Sequence, residues 1–429
     1  MLIKRCRSLF PLILLVAGLL LTGLLPGRAF AAANRPPNMV FILTDDHRWD
    51  ALSAMGHPFL QTQHLDRLAN EGILFENAFV TTSLCSPSRA SFLTGQYAHT
   101  HGVVTNHTPW DNRNVTFLER LNAAGYETAF IGKWHMPGDG LPALRGVDRF
   151  VSFTREGGQG VYYDCPLVID GVETARPGRY ITEDLTDLAL DFITREHRKP
   201  FCLYLSHKAV HFGFRPPPHL KGRYRDVDLK LPPESDPWIP YTNGHPFVGA
   251  IFPLDFLYRN YCETVASVDE QVGRLLDELD SLGVRERTLV VVIGDHGESL
   301  GEHGEETHSY FIYDATTAVP LIFSAPGVLP ENRRVATQVR LIDVAPSVTG
   351  FVGVDNSLSD ALGNVKVDLG FGWEDICGRG GPLVSPAIFD ECVAPGYRKI
   401  RNKLEEYGVT LYGIDSDGDV TDLPSSAFG

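Results

Sequence analysis

The sequence predicts an α/β fold built on a sheet that is buried on both faces. Four short apolar segments each run directly into polar or charged side chains: residues 39–43, 128–131, 201–205 and 289–293. Continuous apolar strands are typical of parallel sheets that helices cover on both sides. In open α/β sheets, functional residues gather beyond the carboxyl ends of the strands. We therefore expect a functional site along one edge of this sheet.

Helical periodicity appears between these strands, as an α/β fold requires. The clearest segment carries apolar residues at helical spacing and ends near Gly283: Val265, Val268, Val272, Leu275, Leu276 and Leu279. A second such segment spans residues 185–192. Both patterns predict helices that pack an apolar face against the sheet.

The bulk composition is that of a globular protein. The chain has 429 residues, of which 43% are hydrophobic and 21% charged. This length allows one large domain with an appendage, or two ordinary domains. The formal net charge of -15 excludes binding to nucleic acid or to an anionic membrane through overall charge.

Residues 1–33 have the pattern of a secretory signal peptide. A basic start at residues 4–7 precedes an apolar run over residues 9–25, and Ala29-Phe30-Ala31 offers a cleavage site. The alternative is an uncleaved anchor helix, for which the run is short and interrupted. We expect an exported chain, secreted or periplasmic, with no membrane span once the signal is removed.

The seven cysteines suggest neither a zinc site nor a dense disulfide scaffold. None of them forms a Cys-x-x-Cys pair, and Cys6 lies within the signal. If Cys85 is committed to catalysis, five remain. At least one thiol is then unpaired or pairs between chains.

The segment from Cys85 to Gly95 carries the strongest local pattern. Ser86 suits an N-cap, Pro87 suits the first helical turn, and Gly95 suits a helix stop. Cys85 would then stand at a helix N-terminus, which attracts anions, with Arg89 one turn on along the same face. The alternative is a buried cysteine before an ordinary capped helix.

The pattern Cys-x-Pro-Ser-Arg-x-Ser-x-Leu-Thr-Gly resembles the signature of the sulfatase family, and the resemblance extends over about residues 36–350. It implies an alkaline-phosphatase-like fold with a large mixed, mostly parallel sheet between helices. Residues 36–350 would form the catalytic domain and residues 351–429 an abbreviated C-terminal subdomain. The segments 85–93, 97–103 and 207–211 are most similar to N-acetylglucosamine-6-sulfatases, which implies a carbohydrate sulfate ester as substrate.

Three carboxylates and an imidazole follow two of the predicted strands. They belong to Asp45, Asp46, Asp295 and His296. Hard oxygen ligands favour Ca²⁺ or Mg²⁺ over zinc, although an Asp-Asp pair after a strand is often only a solvated turn. The resemblance implies that these four residues and the modified Cys85 hold Ca²⁺, with Mg²⁺ as the alternative. Many family members have Asn in place of His296.

The resemblance also implies a set of sulfate-binding side chains. Lys133 and His135 lie in Gly-Lys-Trp-His, and His211 matches the histidine that contacts sulfate and the leaving-group oxygen. His308 stands where many sulfatases have Lys, so we expect activity to fall as His308 loses its proton near neutral pH. His207 and His211 have the spacing of a zinc pair on a helix, but the preceding apolar strand favours a loop.

The mechanism implied by the resemblance begins with oxidation of Cys85 to formylglycine (3-oxoalanine) by a formylglycine-generating enzyme. One hydroxyl of the hydrated aldehyde attacks sulfur while Ca²⁺ and Arg89 hold the hydrate. His211 or Lys133 protonates the departing alkoxide. His135 helps to deprotonate the second hydroxyl, which expels sulfate.

Two alternatives remain open from the sequence. One is a phosphonate monoester or phosphodiester hydrolase of the same fold, and the other is a non-catalytic glycan-binding relative. The expected partner is a sulfated small molecule or glycan. A nearby acidic run is expected to be a solvated, substrate-facing loop rather than a source of metal ligands: Glu298, Glu302, Glu305 and Glu306.

Overall fold

A computed structural model describes residues 36–138, 141–154, 159–231, 253–304, 308 and 312–354, together with the backbone of four short strands after residue 369. The chain divides into two compact units, Met1–Asp355 and Asn356–Gly429. The predicted signal peptide lies outside the described residues. Among the described helices, none combines the length and the apolar character needed to cross a membrane.

The first unit is built on a mixed ten-stranded sheet with the order β11-β2-β10-β9-β1-β8-β4-β5-β6-β7. Its central strands, β9-β1-β8-β4-β5, are parallel, whereas β10, β6 and β7 pair antiparallel with their neighbours toward the edges. The strands of this unit, including the separate pair β3 and β12, are β1 Asn38–Thr44, β2 Gly72–Phe75, β3 Ala78–Phe79, β4 Glu127–Gly132, β5 Arg149–Phe153, β6 Leu167–Ile169, β7 Val172–Thr174, β8 Phe201–Ser206, β9 Thr288–Gly294, β10 Leu321–Ser324, β11 Arg333–Val335 and β12 Val339–Arg340.

Helices cover both faces of this sheet. They are α1 Gln63–Asn70, α2 Cys85–Thr94, α3 Ala98–His101, α4 Phe117–Ala123, α5 Ile181–Ile193, α6 Leu254–Ser281, α7 Asp314–Thr317 and α8 Val344–Phe351. Because successive strand residues point to opposite faces, Val40 and Ile42 pack with α1, α5 and α6. Met39 and Phe41 pack with α2, α4 and α8 on the other face. The α/β prediction and the four predicted strands are confirmed.

In the second unit, the structure describes only the backbone of four strands. β13 Gly370–Trp373 pairs in parallel with β16 Tyr412–Asp415. β14 Cys377–Gly378 pairs antiparallel with β15 Gly381–Pro382.

The carboxyl ends of four parallel strands meet at one edge of the main sheet. Leu43 of β1 is in register with Ser206 of β8, and Thr44 is in register with Gly294 of β9. Gly132 of β4 is also in register with Ser206. Neighbouring strands lie about 5 Å apart, so the residues that follow these four strands must converge. This convergence creates the candidate site.

Candidate active site

Helix α2 presents Cys85 at its N-terminus, but its first turn is capped differently from the prediction. The helix begins at Cys85 and Leu84 takes the N-cap position without a side-chain bond, so the assignment of Ser86 as N-cap is wrong. The Ser86 amide donates to Oδ1 of Asn106 at 2.9 Å, and the Ser86 hydroxyl donates to the carbonyl of His135 at 2.5 Å. A distant asparagine therefore supplies the cap, and Ser86 ties α2 to the loop after β4.

The five predicted metal ligands, Cys85 included, are all fully buried and lie together. The Asp46 amide donates to Oδ1 of Asp295 at 3.1 Å. Nε2 of His296 lies 3.4 Å from Oδ1 of Asp46 and 3.4 Å from Sγ of Cys85. Nδ1 of His296 donates to the Gly297 carbonyl at 2.9 Å. Nε2, the other ring nitrogen, faces the carboxylates and Cys85.

Arg89 and Lys133 neutralise one part of this cluster. Nη2 of Arg89 lies 3.2 Å from Oδ1 of Asp45 and 2.8 Å from Oδ2 of Asp295. Nζ of Lys133 donates to Oδ2 of Asp45 at 2.5 Å. Nη1 of Arg89 also donates to the Lys133 carbonyl and to Oγ of Ser206, at 3.0 and 2.6 Å. Arg89 and Lys133 therefore both form ion pairs with Asp45.

The turn that delivers Lys133 requires glycine at the end of β4. Gly132 has φ of +120°, and a Cβ at this position would lie 1.8 Å from the Ser206 carbonyl oxygen. Only a residue without a side chain lets β4 and β8 approach this closely while the chain turns toward the site.

His135 and His211 reach the same region from the loops after β4 and β8. Nε2 of His211 is 3.9 Å from Oδ2 of Asp46, and Tyr162 donates its hydroxyl to the His211 carbonyl at 2.6 Å. Nε2 of His135 is 3.2 Å from Nε2 of Gln159. The segment of residues 207–211 is not helical, in agreement with the predicted loop rather than a zinc pair on a helix.

Electrostatics identify the groups that surround Cys85. Burial alone would raise the pKa of the thiol, but Lys133, His296 and contacts with His135 and His211 lower it well below its ordinary value. The structure therefore brings these predicted site residues together around the cysteine, although they are far apart in the sequence.

The two aspartates that follow β1 have opposite electrostatic surroundings. Burial would raise the pKa of Asp45, but Lys133 and Arg89 hold it below its ordinary range. Burial raises the pKa of Asp46 well above its ordinary value despite the nearby His308. Neither carboxylate oxygen of Asp46 has a hydrogen-bond partner among the described residues. Asp46 is thus the carboxylate that most requires a cation.

The acidic run after β9 is not a solvated loop in its described part. Glu298 is 0% and Glu302 8% exposed, so that prediction is wrong for both, while residues 305–306 lie outside the described residues. Oε2 of Glu298 lies 2.6 Å from Nδ1 of His308. Burial would lower the pKa of His308, but Asp46 and Glu298 raise it well above its ordinary value. These two carboxylates therefore favour the protonated form of His308, the opposite direction from the loss of its proton expected from the sequence.

Lys208 belongs to the site, although sequence reasoning gave it no role. Only 4% of the residue is exposed, and its Nζ lies 5.3 Å from the centre of the Tyr162 ring. Burial and the nearby Lys133 lower its pKa to about 8. The sequence feature that could have identified Lys208 as a site residue is its position between His207 and His211, directly after an apolar strand.

Four side chains that sequence reasoning missed support the site from outside: Arg48, Asn106, Gln159 and Tyr261. Each acts through a contact between segments far apart in the chain, so no local pattern marked it. The four free cysteines with described side chains are Cys85, Cys165, Cys202 and Cys262, all buried.

The sequence profile of the family described as Sulfatase matches residues 37–354. The chain belongs to the sulfatase family. It is 31% identical over 389 residues to an N-acetylglucosamine-6-O-sulfatase of Bacteroides thetaiotaomicron, covering 75% of this chain and 69% of that protein. It is 30% identical over 353 residues to an ulvan-active sulfatase of Formosa agariphila, covering 79% of this chain and 64% of that protein.

This sulfatase is similar to a solved structure in complex with its substrate D-glucosamine-2-N,6-O-disulfate, with a TM-score of 0.69 and 28% identity. The match covers 76% of this chain and 78% of that one. These similarities confirm the predicted family and the alkaline-phosphatase-like fold. The family match and the curated sulfatase relatives identify the chain as a sulfuric ester hydrolase.

Proposed function

We propose that this sulfatase hydrolyses a carbohydrate sulfate monoester with the help of a formylglycine at position 85 and a bound Ca²⁺. One observation carries the proposal: Cys85 starts α2 beside His296, where the carboxylate cluster meets the cations around the thiol. Formylglycine supplies a geminal diol, which offers a hydroxyl nucleophile and later releases sulfate by elimination. An unmodified thiol lacks that second hydroxyl.

The donor set fits a hard divalent cation. Two groups of side chains have ligand atoms close enough to share an ion: Asp46, Cys85, His296 and His308, and Asp45, Cys85, Asp295 and His296. Together the two groups contain three carboxylates, and the oxygens of Asp46 lack hydrogen bonds among the described residues. We assign Asp45, Asp46, Asp295, His296 and the oxygen introduced at position 85 as ligands. Ca²⁺, or Mg²⁺ in its place, would supply charge stabilisation to the sulfate oxygens.

The basic side chains around Cys85 would bind the sulfate group. Lys133 and His211 lie beside Cys85, and the contact with Glu298 favours the protonated form of His308. Lys208 adds a fourth buried basic group on the same loop as His211. Preorganised charges of this kind stabilise the oxygens on which negative charge develops in the transition state.

Proton transfer is assigned to two histidines. The ion pair with Asp45 helps to raise the pKa of Lys133 against the effect of burial, so Lys133 is a poor proton donor. Burial, Lys208 and Lys133 lower the pKa of His211 to about 4. The negative charge of a bound sulfate ester would counteract the effect of the two lysines on this pKa. We therefore assign His211 as the acid that protonates the leaving alkoxide, and His135 as the base near the diol.

A comparison of two substrates with one leaving group tests the reaction class. We expect the matured protein to hydrolyse 4-nitrophenyl sulfate faster than the 4-nitrophenyl ester of a phosphonate, with Cys85→Ala protein as the blank. Faster cleavage of the phosphonate would favour the phosphonate monoester or phosphodiester hydrolase instead. Release of sulfate from N-acetylglucosamine 6-sulfate, and none from glucosamine sulfated only at N2, would support the substrate class.

Maturation and export belong to the same proposal. A formylglycine-generating enzyme would act on Cys85, and the signal over residues 1–33 would direct the chain to a secreted or periplasmic location. Residues 36–350 would form the catalytic domain and residues 351–429 a small subdomain, in line with the family match over residues 37–354. N-terminal sequencing of exported protein tests the signal, which requires a new N-terminus near residue 32.

A further inference from the structure

The backbone around Asp46 has an unusual conformation that other residues must maintain. Asp46 has φ of +54°, in the left-handed region that non-glycine residues rarely adopt. Its amide donates to Oδ1 of Asp295 at 3.1 Å. Its carbonyl accepts from the hydroxyl of Tyr261 at 3.0 Å. Both ends of the residue are therefore held, and the side chain is directed into the carboxylate cluster.

The Tyr261 hydroxyl makes a second bond to the same turn. It accepts from the amide of Arg48 at 2.9 Å. A single oxygen therefore bonds to the backbone on both sides of His47, at the Asp46 carbonyl and at the Arg48 amide. Tyr261 lies in the long helix α6, is 0% exposed, and packs its ring edge against Phe214 with 5.3 Å between ring centres. The hydroxyl is thus presented by a rigid part of the core.

The Arg48 side chain continues this connection to the loop after β9. It pairs with both carboxylate oxygens of Asp50 at 2.8 Å and with Oε1 of Glu302 at 2.6 Å. It also donates to the carbonyl of Glu298 at 2.9 Å. The contacts of Arg48 therefore join the loop after β1 to the loop after β9.

We propose that the Tyr261 hydroxyl is a positioning group of the metal site, which holds Asp46 in its ligating conformation and acts together with Arg48. This inference rests on the metal site of the proposed function. Partners that orient metal ligands from outside typically contribute about 10–100-fold to metal affinity. Tyr261 touches neither substrate nor metal in this role.

Tyr261→Phe removes only the hydroxyl and keeps the packed ring. The matched control is Tyr180→Phe. It deletes a buried hydroxyl that lies 3.3 Å from Oγ of Ser267, a residue of α6 like Tyr261. For matured protein stripped with a chelator, isothermal titration with Ca²⁺ gives the affinity, and urea unfolding without Ca²⁺ gives the stability. We expect about 10–100-fold weaker Ca²⁺ binding in Tyr261→Phe and wild-type binding in Tyr180→Phe.

Three results would overturn the inference. Wild-type Ca²⁺ affinity in Tyr261→Phe, with a stability loss like that of Tyr180→Phe, would make the hydroxyl merely structural. Equally weakened Ca²⁺ binding in both variants would show that loss of any buried hydroxyl at α6 has this effect. Absence of Ca²⁺ binding by the wild-type protein would refute the metal part of the proposed function itself, a result distinct from the first two.

Arg48→Lys provides a second test that does not depend on how well Tyr261→Phe folds. Lysine keeps the charge but cannot bond both Asp50 oxygens, Glu302 and the Glu298 carbonyl at once. We expect weaker Ca²⁺ binding than in the wild-type protein. Unchanged affinity in Arg48→Lys would contradict the joint role of Arg48 and Tyr261.

Discussion

The two sides of the site around Cys85 differ in charge and in how their charges are compensated. The acidic side, Asp45, Asp46, Asp295 and His296, follows β1 and β9, and the basic side, Lys133, His135, Lys208 and His211, follows β4 and β8. Arg89 and Lys133 pair with Asp45, whereas the oxygens of Asp46 lack hydrogen-bond partners among the described residues. The charges on the acidic side therefore suit a cation and those on the basic side suit an anion, with Cys85 between them.

Replacement of the residue between the two sides has the largest expected effect. Cys85→Ala removes the precursor of the nucleophile, and we expect sulfate-ester turnover to fall on the order of 10⁴-fold or more. Cys202→Ala changes a buried cysteine in β8 outside the site and should keep wild-type turnover. Substantial turnover by Cys85→Ala protein, measured as released sulfate, would end the account of a position-85 nucleophile.

Lys133→Gln should affect the basic side and the acidic side of the site differently. Turnover should fall about 10²–10³-fold because a charge that faces the sulfate oxygens is lost. Ca²⁺ affinity should stay the same or rise, because Asp45 loses a cation that competes for its oxygens. The measurements are kcat on a sulfate ester and Ca²⁺ titration of the same preparation. Weakened Ca²⁺ binding with retained turnover would reverse the assignment of the two sides.

Asp46→Asn acts on the acidic side. We expect Ca²⁺ affinity to fall by about 100-fold, since this removes the carboxylate whose two oxygens have no hydrogen-bond partner among the described residues. Glu263→Gln replaces a buried acid of α6 that binds the Gly222 amide, and it should leave Ca²⁺ binding unchanged. Equal losses in both variants would mean that the effect is not specific to the acidic side.

The smallest expected effect concerns the helix that carries Cys85. Nε2 of His101 lies 3.0 Å from Oγ of Ser91 in α2, and its Nδ1 accepts from the Val103 amide, so the ring is neutral. Burial and His99 lower the pKa of His101 from 6.5 to about 4. Because the unfolded chain binds this proton first as pH falls, stability present above pH 6.5 is lost progressively toward pH 4.

Urea unfolding at pH 7 and pH 5 checks this dependence. The free energy of unfolding should fall less between these two pH values in His101→Gln than in the wild-type protein. His107→Gln, which changes an exposed histidine in the loop after the short helix of His101, should keep the wild-type dependence. Identical pH dependence in His101→Gln and the wild-type protein would contradict the role given to His101.

The sequence predicted those parts of the molecule that local patterns encode. Apolar runs predicted β1, β4, β8 and β9, and their polar ends predicted most of the residues that meet at the sheet edge. The family resemblance then supplied roles that composition and spacing do not contain.

The parts that escaped prediction depend on contacts between distant segments. Ser86 has the residue type of an N-cap, yet Asn106 from another loop does the capping. Glu298 and Glu302 look like solvated acids in the sequence, but they are buried because His308 and Arg48 pair with them. Side-chain charge alone did not predict burial, because the partners become neighbours only when the chain folds.

Mass analysis of the peptide that contains position 85 tests the central claim most directly. The chain would be co-expressed with a formylglycine-generating enzyme, digested, and compared with the same peptide from cells that lack that enzyme. The account predicts an aldehyde in place of the Cys85 thiol only in the first preparation, together with sulfate release by that preparation alone. An unmodified thiol in a preparation that nevertheless releases sulfate would contradict it.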